Sequence, residues 1–144
     1  KDLSGIIQTI PFKADGTAVV VSETNGVKVI NATRDVSLAS GTQSITGVGF
    51  TPKGVKIDAV IVNTLAASFG MSDGTTHGMV GRFSGAANGN WDEKSTFCIF
   101  LAVDNGATDY TSATIAFTSD GGTLTWTKTG APTGTAAVKL EFYR

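Results

Sequence analysis

Short apolar runs separated by turn residues recur along this chain, and none of them keeps a helical period. No window of eleven or more residues holds apolar positions at the 3.6-residue spacing, and Gly, Thr and Val interrupt every candidate. A chain patterned this way folds as strands. Residues 113–118 and 123–128 flank the turn Ser119-Asp120-Gly121-Gly122. Ile115 and Phe117 share one face of the first strand, Leu124 and Trp126 one face of the second, with threonines opposite. Trp126, in phase with Leu124, reads as core.

The same logic extends along the chain. Residues 55–62 alternate through Val55, Ile57, Ala59 and Ile61, with Lys56 and Asp58 opposite until Val60 and Val62 also turn apolar. Residues 95–103 are apolar at nearly every position from Phe97 on, which predicts a strand central in a sheet or covered by another subunit. Ile99 and Leu101 share one of its faces, Cys98 and Phe100 the other. In residues 137–143, Val138, Leu140 and Phe142 point inward while Lys139, Glu141 and Tyr143 point out. Residues 63–92, with Gly70, Gly74, Gly78, Gly81, Gly85 and Gly89, read as short strands and long surface loops.

Near the start, Asn25-Gly26 between residues 18–22 and 27–30 predicts a two-residue hairpin turn, with Glu23 facing Lys28 across the strands. A lone hairpin is marginal in water, so this one must dock, either on another protein or as extra strands of the main domain. The reading adopted is an N-terminal arm and hairpin over 1–40, with Ile6, Ile7 and Ile10 as its apolar anchors and 31–42 as a polar connector. Residues 41–144 then form the domain. The expected fold is all-β: an antiparallel β-sandwich, jelly-roll-like, preceded by the arm.

At 144 residues the chain holds one domain with a real core. A net charge of −1 gives no basic face for nucleic acid. Charged residues are 16%, against about 25% in ordinary soluble domains. The 21 threonines, 18 glycines and 11 serines make up about a third of the chain. Such a weakly charged surface suits a protein largely covered by neighbours, and equally a low-charge extracellular β domain. No apolar run is long enough to cross a membrane as a helix, and no signal peptide is visible.

Chemistry is sparse. Cys98, the only cysteine, sits in an apolar strand as an inert small side chain. His77, the only histidine, lies near Ser72 and Asp73, but three residues on one Gly-rich loop lack a scaffold for triad geometry. It is read as an exposed or interface histidine. One His and one Cys do not make a zinc site, so no metal or cofactor is expected. Asp92 and Glu93 are adjacent and on a strand point to opposite faces, not across a hydrolytic cleft. Asp104, Asp109 and Asp120 lie at turns, where Asp hydrogen-bonds its own backbone. Trp91, placed in a polar loop, is the candidate exposed anchor.

Thr46-Gly47-Val48-Gly49-Phe50-Thr51-Pro52-Lys53, Ser72-Asp73-Gly74-Thr75, the run from Ser119 through Lys128, and Pro132-Thr133-Gly134-Thr135-Ala136 follow one another in a characteristic order. In that order, over about residues 41–144, they resemble a small β-sandwich domain of structural proteins in tailed-bacteriophage virions. The resemblance implies a non-enzymatic capsid decoration, or cement, protein on the virion surface, made in the bacterial cytoplasm. It also implies a homotrimer that binds the major capsid protein or another virion protein, without nucleic acid or membrane. The alternative is a head-fibre or tail-fibre tip that binds host surface glycan through Trp91. Interface candidates are Trp91, Phe100, His77, Ile6, Ile7 and Ile10.

One stability test follows from the strand in 95–103. Ile99→Ala and Leu101→Ala should each cost about 2–5 kcal/mol through lost burial and cavity formation, measured by urea unfolding.

Overall fold

In the computed structural model, residues 26–84 and 91–144 are described. They form ten strands: β1 (Val27–Asp35), β2 (Gly41–Ile45), β3 (Gly54–Ile61), β4 (Ala67–Ser72), β5 (His77–Arg82), β6 (Trp91–Lys94), β7 (Ile99–Ala102), β8 (Tyr110–Thr118), β9 (Gly121–Thr129) and β10 (Thr135–Tyr143). One sheet has the order β1-β10-β3-β4-β5-β6, the other β2-β9-β8-β7, and all the pairings are antiparallel. The first two strands pair with the last two, one pair in each sheet, which is the wrap of a jelly roll. The middle strands run as two meanders. The expected antiparallel β-sandwich is the fold.

Its core lies between the sheets. Ile57, Ile61, Leu140 and Phe142 from one sheet pack on Ile99, Leu101, Ile115, Leu124 and Trp126 from the other. The alternation read in the last strand holds, with Val138, Leu140 and Phe142 buried. Trp126 is 1% exposed, and its indole N–H donates to Gln43 Oε1 at 3.0 Å. The same Gln43 donates through Nε2 to the carbonyl of Thr33 on the opposite sheet at 3.0 Å.

That bond belongs to a correction. The boundary expected near residue 41, and the polar connector expected over 31–42, do not hold. β1 pairs with β10 over nine residues, from Val27 with Tyr143 to Asp35 with Thr135, and Val36 is fully buried in the core. Residues 27–40 are therefore part of the sandwich. Pairing a whole edge of β10 satisfies more backbone groups than a free hairpin does. The other half of the expected hairpin, residues 18–22, and the anchors Ile6, Ile7 and Ile10 lie outside the described residues.

A second correction concerns Phe100. β7 is an edge strand, yet all four of its residues are buried, because β3, β4 and β5 pass over it. Phe100 is 4% exposed and packs against Tyr110 (ring centroids 4.6 Å apart) and Phe83 (5.5 Å). It is core, not a subunit interface. Cys98 is likewise buried. Its thiol donates to the carbonyl of Ala113, and burial pushes its pKa up to about 12, so it stays a neutral packing group.

At Gly70, β4 closes on the backbone of Cys98, the residue that leads into β7. A Cβ there would lie 1.9 Å from the carbonyl oxygen of Cys98, so only glycine fits. Two residues away on the same strand, Ser68 Oγ accepts the Phe100 N–H at 3.1 Å, a hydrogen bond from sheet to sheet. A Cβ on Gly78, by contrast, meets nothing within 4 Å. Gly70→Ala should therefore cost about 3 kcal/mol in urea unfolding, while Gly78→Ala stays within about 0.5 kcal/mol of the parent.

Candidate functional site

The pinch at Gly70 decides which way β4 sends its large side chains. Ser68, Gly70 and Ser72 point inward, where there is no room, and Phe69 and Met71 point out. β5 does the same, with Met79 and Gly81 inside and Val80 and Arg82 outside. Strand pairing then sets these residues in rows across the outer face of the six-stranded sheet. Lys56, Met71 and Gly78 form one row, and Asp58, Phe69, Val80 and Glu93 the next. Val60, Ala67, Arg82 and Trp91 form the third.

The face divides into two halves. On β3 and β10 the charges neutralise one another: Lys56 pairs with Asp58 at 3.5 Å and Lys139 with Glu141 at 3.0 Å. Lys139 holds the Glu141 carboxyl below its usual range, and Glu141 raises Lys139 in return. On β4, β5 and β6 the surface is apolar and open. Met71 is 66% exposed, Trp91 61%, Val80 50% and Phe69 43%. The Phe69 and Trp91 rings lie nearly parallel, 20° apart with centroids at 6.3 Å. Arg82 stands opposite Trp91 in the pairing, and its Nε is covered without an acceptor.

Two hollows indent this face on either side of Met71 and Gly78. The larger, of about 680 Å³, runs between Tyr143, Lys56, Met71 and His77. The smaller, of about 350 Å³, lies among Phe69, Val80, Glu93 and Lys94. Gly78 contributes no side chain to either wall, so the backbone forms the floor.

His77 is better held than the sequence reading allowed. Ser72 ends β4 and His77 begins β5, directly opposite in register. Ser72 Oγ accepts the Gly74 N–H at 2.9 Å and lies 2.8 Å from His77 Nδ1, to which it donates when the neutral ring carries its proton on Nε2. A hairpin, not a loose loop, fixes this pair. Asp73 takes no part in a relay. Its carboxylate accepts the N–H groups of Thr75 and Thr76, which hold its pKa at about 2. The Ser72–His77 bond closes the turn at one end of the larger hollow.

Of the residues singled out from sequence, Trp91 lies on the open face and His77 at its edge, while Phe100 lies beneath it. Phe69, Met71, Val80 and Arg82 were missed as site residues. For Phe69 and Met71 the signal was an inverted strand: in 67–72 serines and Gly70 occupy one parity and the large apolar residues the other.

No protein-family profile, no curated protein and no solved structure matches this chain.

Burial lowers the His77 pKa below its ordinary 6.5, with Asp73 pulling weakly the other way. The folded state thus keeps the ring neutral while the unfolded chain takes up the proton more readily. The His77 contribution to stability is full above pH 6.5 and is lost as pH falls through the lowered folded value. Urea midpoints should drop between about pH 7 and about pH 5 in the parent protein, and His77→Gln should flatten that window.

Proposed function

We propose that this chain is a non-enzymatic structural protein of a tailed-bacteriophage virion, a capsid decoration protein, whose outer sheet face is covered in the assembled particle. The observation that carries the reading is that face: on β4, β5 and β6 four large apolar side chains stand open on the outer side of the sheet. An exposed apolar patch of this kind marks an interaction surface. The low share of charged residues and the motif order running from Thr46 to Ala136 support the same reading. Residues 1–25, which carry Ile6, Ile7 and Ile10, are assigned to shell attachment. The mechanism is mass action. A protein that binds the assembled shell and not its free subunits stabilises the shell at every occupied site.

The Phe69–Trp91 pair favours a second reading, a fibre-tip domain that stacks a host sugar on two nearly parallel rings. Quantitative mass spectrometry of purified virions separates the two. Copy numbers on the scale of the shell lattice are expected for decoration, a handful for a fibre, and absence overturns both. In a glycan-array experiment, Trp91→Ala should lose sugar binding only under the second reading.

A further inference from the structure

We infer that the partner covering the outer face is a second copy of this chain, packed face to face about a two-fold axis; this rests on the reading that the face is buried in an assembly. On this face Lys56 is matched by Asp58, and Lys139 by Glu141, within the protomer. Arg82 and Glu93 make no ion pair among the described residues, and Arg82 Nε is buried without an acceptor. One unpaired cation and one unpaired anion on a single apolar face are self-complementary.

Their positions fit a two-fold contact. Val80 pairs with Glu93 and Arg82 with Trp91, so Arg82 and Glu93 occupy opposite corners of a four-residue patch. In an isologous interface residue i meets residue j, and j meets i. An axis lying between the two sheets, near the line Met71–Val80–Trp91, exchanges those corners. Arg82 of each copy then faces Glu93 of the other. The same operation sets Met71, Val80 and Trp91 against their own equivalents. It also swings Phe69 toward Gly78 of the second copy, above which a side chain would meet nothing within 4 Å.

Composition agrees. Aromatic residues, Met and Arg are the side chains that interfaces enrich. A three-fold arrangement sets two different patches against each other and leaves this self-complementarity unused.

The test is light scattering and sedimentation of the full chain across a dilution series. A dimer that dissociates on dilution is expected. Arg82→Glu and Glu93→Arg should each weaken it by about tenfold or more, and combining them should restore association toward the parent. Circular dichroism checks the fold of each variant; because Glu93 is exposed, its reversal remains informative even if Arg82→Glu misfolds. A monomer at every concentration, a trimer, a dimer indifferent to both reversals, or a folded double variant that stays monomeric each overturns the inference. A monomer that still loads onto shells removes only the self-partner. Absence from virions removes the reading beneath it.

Discussion

At Gly70 the two sheets of this sandwich touch backbone to backbone, and much of the molecule follows from that contact. Packed sheets ordinarily stand about 10 Å apart, with side chains filling the gap. Here the Cys98 carbonyl occupies the place of a β-carbon on β4. The strand must therefore turn small residues inward, and Ser68 uses the closeness to bond Phe100 N–H across the gap. Apolar bulk that would normally fill a core at this point is displaced to the outside as Phe69 and Met71. The open face is thus the other side of a tightly pinched core. Nearby, Phe83, Phe97 and Tyr110 gather around Phe100 as a satellite cluster under β5.

Away from the pinch, polar clamps hold the sandwich. Asp120, at the turn between β8 and β9, accepts the N–H groups of Gly47 (2.9 Å) and Gly49 (2.6 Å). Both glycines have positive φ, which lets their N–H groups converge on one carboxylate. Two motifs 70 or more residues apart in sequence are therefore one lock. These hydrogen bonds hold the Asp120 carboxyl below its usual range, so the lock is present above the ordinary Asp value of 3.8 and weakens as pH falls through the lowered one. At the other end Gln43 ties β1 to Trp126, and Arg34 lies 5.3 Å from the indole centroid. β1 is held by the core as well as by its ladder.

The outer face sets a charge-balanced half beside an open apolar half. Its charged half is neutral within the protomer, so it contributes solubility without demanding a partner. Its apolar half has Trp91 and Phe69 stacked, Met71 as an adaptable filler and an Arg82 Nε that finds no acceptor among the described residues. Ser72 and His77 stand in nucleophile–base register, but the carboxylate that would orient the imidazole is engaged by Thr75 and Thr76. The pair serves the turn.

Much of the architecture was legible in residues alone. Alternation at Ile57, Leu140, Phe142, Leu124 and Trp126 assigned strands and their buried faces, because side chains in a strand point to opposite sides in turn. Ser119-Asp120-Gly121-Gly122 marked the β8–β9 hairpin, and Trp91 stood out as an exposed aromatic. The rest depends on contacts between residues distant in the chain. β1 looked detachable because its edge partner, β10, lies more than a hundred residues further on. Phe100 looked like an interface because nothing local says that β4 and β5 pass over it. Side-chain parity and backbone preference alone were enough for β3, β8, β9 and β10, their inward faces and the β8–β9 turn. Long-range packing alone brings β4 against Cys98 at Gly70, and so leaves Phe69 and Met71 facing outward.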